Sequence, residues 1–229
     1  NLTIFNNGGL PLELELNTTL TVTDIDGNVY QTVQIGDQLW MAENLKVTHY
    51  RNGDPISHVT DNSTWTGLST GAYCHFSNIS SYGTLYNGYA VDDSRGLTPE
   101  GWRVPTDDDI KQLEMYLGMS QSQANSTGYR GTNEGSKLAG DYDLWSSGSL
   151  RNDPEFDSSS FSFLPCGYRH YDHGAFFGRG YYGYLWSSTG SSSSNAWYRR
   201  LYCDDTRVSR TNGNKTVSYT HLTLPTKRI

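Results

Sequence analysis

The sequence predicts an α+β fold in which a twisted antiparallel sheet packs beside one or two helices and long irregular loops. Three observations support this prediction: alternating apolar residues around tight turns between Thr21 and Met41, a single strong helical pattern at 107–117, and a sequence pattern typical of strands and turns from Phe161 onward. The chain has 229 residues, and no linker interrupts these patterns. One large domain is therefore the expected organisation.

The first predicted strands lie at 29–41, where apolar residues alternate with polar ones. Asp26-Gly27 and Gly36-Asp37 flank the segment 29–35, and both pairs favour tight turns between short strands. The next segment carries Trp40 and Met41, which we expect to enter the core. With 6 Trp, 17 Tyr and 7 Phe in the chain, aromatic side chains can supply much of the buried area.

The helix predicted from Asp107 to Leu117 has signals at both ends and along its length. Thr106 can cap its first turn, and Asp109, three positions later, completes a capping-box pattern. The early Asp residues also suit the positive end of the helix dipole. Three apolar residues recur at helical spacing, and Gly118 can end the helix; they are Ile110, Leu113 and Leu117. A second, shorter helical turn is predicted around 135–139.

The later part of the chain predicts antiparallel strands. Inward-facing residues alternate in three runs, separated by a Gly-rich stretch at 174–183 and a Ser-rich turn at 190–195. The runs are Phe161, Phe163 and Pro165; Tyr182, Tyr184 and Trp186; and Trp197, Arg199 and Leu201.

Charge and hydropathy argue against a nucleic-acid partner and against a transmembrane segment. The formal net charge is −7, whereas binding to a phosphate backbone requires clustered Lys and Arg, so we expect no nucleic-acid partner. The sequence also contains no apolar run of about 18 residues that would predict a transmembrane segment.

Four motifs carry a family resemblance. They are WMAENLK at 40–46, GWRVPT at 101–106, YRGTNEGSKL at 129–138 and YGYLWSST at 182–189. In this order they resemble the Fibrobacter succinogenes major paralogous domain, a bacterial extracellular module. The resemblance implies a C-type-lectin-like fold and an extracellular or cell-surface location, but it implies no particular ligand or reaction.

The resemblance also suggests domain boundaries. We interpret residues 1–20 as a linker or the remnant of a preceding module, and residues 21–216 as the family domain. Relatives continue after an NKT-like segment into a last strand, whereas here Asn214-Lys215-Thr216 leads into VSYTHLTLPTKRI. That ending resembles the translation of a sequencing-adapter DNA sequence. We therefore predict that 217–229 is a non-native tail and that the last strand of the domain is missing.

The three cysteines are Cys74, Cys166 and Cys203, an odd number that leaves at least one unpaired. A fourth cysteine would have been lost with the missing strand. We predict a Cys166–Cys203 disulfide, with Cys74 left as a thiol.

Metal and cofactor signals are weak in the sequence, so we predict neither a metal site nor a cofactor. His170 and His173, with Asp172, offer zinc-type ligands, but residues three apart on a strand point to opposite faces, and only a turn would bring them together. The GxSxG match at 67–71 leads into a strand pattern rather than the helix that a nucleophile elbow requires. We therefore expect no catalysis by these groups.

The best candidate for ligand binding is the polar and aromatic side of the last strands. Tyr and Arg dominate binding hot spots, and several such residues alternate with inward-facing Trp197, Leu201 and Val208. The predicted ligand-binding residues are Tyr168, Tyr171, Arg200, Tyr202, Asp204, Asp205, Arg207 and Ser209.

These observations favour an exported or cell-surface recognition module that binds a glycan or protein without catalysis. Two alternatives remain. The first is a polysaccharide hydrolase that uses acids such as Glu43 or Asp143, although Glu43 is better explained by pairing with an arginine such as Arg103. The second is a purely structural module of the cell envelope.

Overall fold

Three main sheets surround the aromatic core of the chain. The computed structural model describes residues 20–77 and 83–219, together with the backbone of two short strands at 4–5 and 11–12. The strands are β1 Ile4–Phe5, β2 Pro11–Leu12, β3 Thr21–Thr23, β4 Val29–Ile35, β5 Gln38–Met41, β6 Ser57–His58, β7 Ala72–Cys74, β8 Leu85–Asn87, β9 Gly128–Arg130, β10 Tyr168–Arg169, β11 Phe176–Phe177, β12 Tyr182–Gly190, β13 Asn195–Tyr202, β14 Asp205–Asn214 and β15 Ser218–Tyr219. The helices are α1 Asn62–Thr66, α2 Gly88–Val91, α3 Asp107–Tyr116, α4 Gln121–Asn125, α5 Glu134–Leu138 and α6 Ser149–Asn152, with a 3-10 turn at Tyr142–Leu144. The mixture of strands and a few short helices confirms the α+β class.

The predicted N-terminal strands form an antiparallel sheet in the order β3-β4-β5. Asp24 stabilises the first turn, because its carboxylate accepts hydrogen bonds from the backbone NH groups of Asp26 and Asn28 at 3.0 and 2.9 Å. Gly27 has a φ of 83°, which a residue with a Cβ rarely adopts. Trp40 and Met41 are fully buried, as the sequence predicts.

The longest strands form a four-stranded antiparallel sheet in the order β12-β13-β14-β9. The predicted runs at Tyr182–Trp186 and Trp197–Leu201 lie in its edge strand β12 and in the central strand β13. The earlier run at Phe161 and Phe163 is buried, but it is not a strand, and only an isolated bridge joins Phe163 to Ala139.

A third sheet of short strands has the order β11-β10-β15-β8-β7-β6 and is mixed, because β6 and β7 run parallel. The strand β15 lies in its middle and pairs with both β8 and β10. Tyr219 is 5% exposed and Ser218 is fully buried, so the residues that directly follow Thr216 are part of this sheet. Residues 220–229 and most of residues 1–19 lie outside the described part of the chain, and the boundaries at 20 and 216 stay predictions.

The helix α3 is capped as predicted and ends one residue before the predicted position. Thr106 Oγ1 accepts a hydrogen bond from the backbone NH of Asp109 at 3.2 Å, and Asp109 Oδ2 accepts one from the backbone NH of Thr106 at 2.7 Å. Ile110 and Leu113 are buried. The shorter helix predicted around 135–139 is confirmed by α5.

Buried ion pairs join α3 to the four-stranded sheet. Arg199 on β13 donates to Glu114 and to Asp107, each at 2.7 Å. Glu114 also binds Arg130 of β9, and Asp107 also binds Arg210 of β14, again at 2.7 Å. All five residues are at most 6% exposed. The acidic start of α3 therefore does more than complement the helix dipole, because Asp107 and Glu114 fix the helix against three strands.

The apolar interior is divided into three clusters, each built around buried tryptophan. Trp186 lies in the first, Trp40 and Trp145 in the second, and Trp65 in the third. Trp102 is partly buried against the first cluster. These positions confirm that aromatic side chains supply much of the core, together with aliphatic residues in each cluster. Within the described residues, no helix is long and apolar enough to cross a membrane.

Candidate functional site

One face of the four-stranded sheet carries aromatic and cationic side chains that are only partly covered. In β13, Arg199 points towards α3, so its neighbour Arg200 points to the opposite face. Tyr184, Arg200, Ser209 and Tyr129 occupy one row across the four strands. Tyr182 pairs with Tyr202 in the next row. We define the tyrosine–arginine surface as the five half-buried residues Tyr129, Tyr168, Tyr182, Arg200 and Tyr202.

Arg200 lies at the centre of this surface. Its Nη2 donates a hydrogen bond to Tyr129 Oη at 3.1 Å. Its guanidinium carbon lies 5.3 Å from the ring centroid of Tyr129 and 5.5 Å from that of Tyr182. No described carboxylate forms an ion pair with Arg200, so its charge is stabilised by aromatic faces and a hydroxyl.

Tyr182 and Tyr202 provide the flat part of the surface. Their rings stack with centroids 4.9 Å apart and an interplanar angle of 21°. Stacking fixes both rings before any ligand binds, so little side-chain entropy remains to be lost on binding.

Tyr168 links this surface to the six-stranded sheet. Its ring lies 5.2 Å from that of buried Tyr184 and 5.7 Å from that of Phe177. Tyr171 lies further along the same path, stacked on His170 with centroids 4.7 Å apart, and is 42% exposed. Ring contacts through His170 and buried Tyr184 therefore connect four of the predicted residues in one aromatic strip, with Tyr182 between its two ends. These residues are Tyr168, Tyr171, Arg200 and Tyr202.

Asp204, Asp205 and Arg207 lie at the end of the β13–β14 hairpin. Asp204 is exposed in the two-residue turn. Asp205 and Arg207 form a two-pronged ion pair with oxygen–nitrogen distances of 2.9 and 2.7 Å. Burial opposes ionisation of Asp205, but hydrogen bonds and the charge of Arg207 outweigh it and lower the pKa of this carboxyl. The guanidinium carbon of Arg207 also lies 5.5 Å from the ring centroid of Tyr129, the same ring that Arg200 contacts.

Ser209 was expected on the exposed face, but it is 3% exposed, and this part of the prediction is wrong. Its side chain points to the expected face, between Arg200 and Tyr129 in the row across the strands. Those two long side chains bond to each other and so cover the shorter serine. Alternation predicted the direction of the residue but not the size of its neighbours.

Burial controls the protonation of the tyrosines. Loss of solvent raises the pKa of Tyr129, although the charge of Arg200 opposes this, and also raises the pKa of Tyr168. Both hydroxyls are therefore neutral near pH 7 and can donate or accept hydrogen bonds.

Sequence reasoning missed Tyr129 and Tyr182 as members of this surface. Tyr182 was assigned to the inward face of its strand, yet it is only half-buried. Tyr129 begins the YRGTNEGSKL motif, and its position beside Arg200 depends on β9 pairing with β14, residues far apart in the sequence. The periodicity of a single strand contains no signal for that pairing.

The two candidate acids for hydrolysis, Glu43 and Asp143, lie in different surroundings. Glu43 accepts from the backbone NH of Gln31 at 2.9 Å and pairs with Lys46 at 3.0 Å. The expected partner Arg103 binds Asp109 instead, so that pairing is wrong. Glu43 lines a shallow cleft of about 190 Å³ whose described lining contains no second carboxylate. Asp143 is exposed in the 3-10 turn.

The cysteines are buried thiols in this structure, and the predicted Cys166–Cys203 disulfide is not formed. Cys166 Sγ accepts a hydrogen bond from Asn44 Nδ2 at 3.3 Å, whereas Cys203 packs in the second core cluster. Burial raises the pKa of Cys74 to about 11 and also raises that of Cys203. The disulfide stays a prediction for the oxidised protein.

The His170–His173 segment forms a turn rather than a strand, so the argument that separated the two imidazoles does not hold. The rings of His170 and His173 are parallel, with centroids 4.4 Å apart and an interplanar angle of 8°. The carboxylate of Asp172 contacts both. This cluster borders the tyrosine–arginine surface, because the ring of His170 lies 6.2 Å from that of Tyr168.

Comparison with known proteins identifies the family. Searches of curated proteins and of solved structures gave no match. A family model described as the Fibrobacter succinogenes major domain matches residues 33–222, which is well over half of the chain. The chain therefore belongs to the Fibrobacter succinogenes major domain family.

Proposed function

We propose that this chain is a non-catalytic ligand-recognition module of an exported or cell-surface protein, and that it binds a glycan or protein through the tyrosine–arginine surface. The observation that carries the proposal is the position of Arg200 between half-buried tyrosine rings, with no described carboxylate to neutralise it. A guanidinium and rigid aromatic faces on an accessible surface are the groups that supply binding energy in recognition sites.

The chemistry of the surface favours a glycan as the first ligand class to test. The apolar CH faces of sugar rings can pack on Tyr182 and Tyr202, while sugar hydroxyls can accept from Arg200 and bind Asp204. The stacked rings are already ordered, which lowers the entropic cost of binding. Tyr168 and Tyr171 extend the strip, so a chain of several sugars has further rings to contact.

The proposal includes the lectin-like scaffold implied by the resemblance. Its support is the combination of several antiparallel sheets, short helices and long loops that present side chains at one face. The proposed location outside the cell rests on the same resemblance, and labelling of intact cells with a membrane-impermeant reagent tests it.

A binding screen with matched variants tests the proposed surface. Soluble plant and microbial polysaccharides are titrated into the full chain, and any that bind are titrated again into Tyr202→Ala and Arg200→Met. We expect each variant to weaken binding by about 2 kcal/mol, or roughly 30-fold, as truncation of a hot spot does.

Tyr116→Ala is the matched control, because Tyr116 is 66% exposed on α3, on the other side of the four-stranded sheet. It should bind like the wild type. Equal affinity in all the variants would place the ligand elsewhere and refute this surface. Depolymerisation of a bound polysaccharide would instead support the hydrolase alternative.

A further inference from the structure

The hairpin between β10 and β11 holds a cluster of side chains that the proposed function does not use. Its loop contains His170, Asp172 and His173, and one ligand atom from each lies within 4.8 Å of the other two. Two imidazole nitrogens and a carboxylate oxygen form a donor set suited to Zn²⁺ and neighbouring divalent transition metals.

Buried Arg169 anchors the backbone of this hairpin to a neighbouring segment. Arg169 is fully buried, and its guanidinium donates to the carbonyls of Gly174 and Thr60 at 2.8 Å each and to Val59 at 2.6 Å. These bonds tie the hairpin to the segment before α1. Because the anchor is buried, the loop above it has a defined shape.

The loop itself closes tightly. The backbone NH of His170 donates to Ala175 O at 2.9 Å, and that of Gly174 donates to His170 O at 3.1 Å. Gly174 has a φ of 64°, and a Cβ there would lie 2.6 Å from the backbone oxygen of Asn62. The loop therefore requires glycine at this position, and its conformation places the two imidazoles on the same side.

The distances between the donor atoms suit a shared ion. His173 Nε2 lies 3.2 Å from Asp172 Oδ1, and His170 Nδ1 contacts the same oxygen. Two donors bound to zinc at about 2.0–2.1 Å, with an angle near tetrahedral, are separated by roughly 3.3 Å. The rings of His170 and His173 are stacked in parallel, so binding one ion requires these side chains to turn out of the stack until both nitrogens and the Asp172 oxygen point to the same position.

The site is open to solvent on its outer side. The side chains of His173 and Asp172 are 49% and 53% exposed, and that of His170 is 27% exposed. An ion can therefore enter directly, and its remaining coordination positions are available to water or to an oxygen of another molecule.

We propose that His170, Asp172 and His173 form a three-ligand site for a divalent transition-metal ion of the Zn²⁺ type. The inference is independent of the proposed glycan or protein ligand. It concerns a different set of side chains, although the two regions adjoin at Tyr168.

The test is metal titration of the full chain, purified without a histidine tag and treated with a chelator. Zn²⁺ is titrated by calorimetry, and Co²⁺ by its visible absorption, which reports nitrogen and oxygen coordination. We expect saturable binding of one ion per chain in the wild type. In His173→Asn and Asp172→Asn the affinity should fall about 10-fold or more, since even the loss of an outer-shell partner costs that much.

The matched control is the double variant His58→Asn and His75→Asn, which removes a second pair of neighbouring histidines, with ring centroids 5.7 Å apart. It should retain wild-type affinity and stoichiometry. The proposal is overturned if the wild type shows no saturable binding, or if His173→Asn and Asp172→Asn bind as tightly as the wild type. Thermal melting is measured for every variant, and unchanged melting is expected because the side chains of Asp172 and His173 are half exposed.

Discussion

Arg199 and Arg200 are adjacent in β13, yet their surroundings differ completely. Arg199 is 1% exposed and is bound by the carboxylates of Glu114 and Asp107. Arg200 is half-buried on the other face and meets tyrosine rings and the hydroxyl of Tyr129. The alternation of a strand thus gives one sheet a buried charged face that holds α3, and an opposite face that is partly core and partly the tyrosine–arginine surface. The following experiments test whether these roles are separate.

The largest expected effect is the loss of stability in Arg199→Met. The substitution removes the cation that binds Asp107 and Glu114 of α3 and leaves the fully buried Glu114 carboxylate with Arg130 alone. Breaking a buried ion pair in this way costs about 3–5 kcal/mol. Urea unfolding at neutral pH measures the change.

Arg200→Met is the control from the opposite face. It removes one hydrogen bond and two aromatic contacts, so we expect a cost of about 1 kcal/mol. An equal loss of stability in the two variants would contradict the separation of the faces.

The second experiment is acid unfolding, which tests the charged face through Asp107. Burial disfavours the ionised carboxylate, but hydrogen bonds from Arg210 and Arg199, the charge of Arg199 and a bond from Lys111 outweigh it, so the pKa of Asp107 is well below its usual value. The folded pKa is thus below the unfolded value of about 3.9. The resulting stabilisation is fully present above that value and is lost as the pH falls towards the folded pKa.

Asp107→Asn should therefore cost about 2–3 kcal/mol at neutral pH and reduce the steepness of acid unfolding below about pH 4. Asp108→Asn is the matched control, because its side chain is 89% exposed, and it should follow the wild-type pH dependence. Parallel pH profiles for Asp107→Asn and the wild type would show that this carboxylate does not govern acid stability.

The smallest expected effect comes from the N-cap of α3, which positions Asp107 and Glu114 against the sheet. Thr106→Ala removes the hydroxyl that accepts from the backbone NH of Asp109 and should cost about 1 kcal/mol of unfolding free energy. Thr106→Ser keeps the hydroxyl and should stay close to the wild type. If the alanine and serine variants unfold at the same urea concentration, the capping box contributes nothing measurable.

The sequence predicted best the features that depend on neighbours along the chain. The helix α3 and its capping box, the turn at Asp26-Gly27 and the burial of Trp40 all follow from spacing of a few residues. Features that depend on distant strands were predicted less well. Arg199 was recognised as inward-facing, but its acidic partners were not, and Glu43 was assigned the wrong partner.

The tyrosine–arginine surface shows the same division. Alternation placed Arg200 and Tyr202 on one face of β13, but the cover over Ser209 and the position of Tyr129 depend on the pairing of β9 with β14. The prediction treated His170–His173 as part of a strand. The structure has a turn there, because Arg169 and Gly174 contact residues more than a hundred positions earlier in the chain. A local pattern contains no signal for those contacts.

The sequence by itself determined the class of the fold, its family, the aromatic nature of the core and the strand that carries the two arginines. Only the tertiary structure decided which arginine is neutralised by acids, which tyrosines surround the other, and which histidines meet across a turn. The physical reason is how far apart in the sequence the interacting residues lie. Turn propensity, capping and periodicity act over a few residues, whereas ion pairs and ring contacts depend on which distant segments share a sheet.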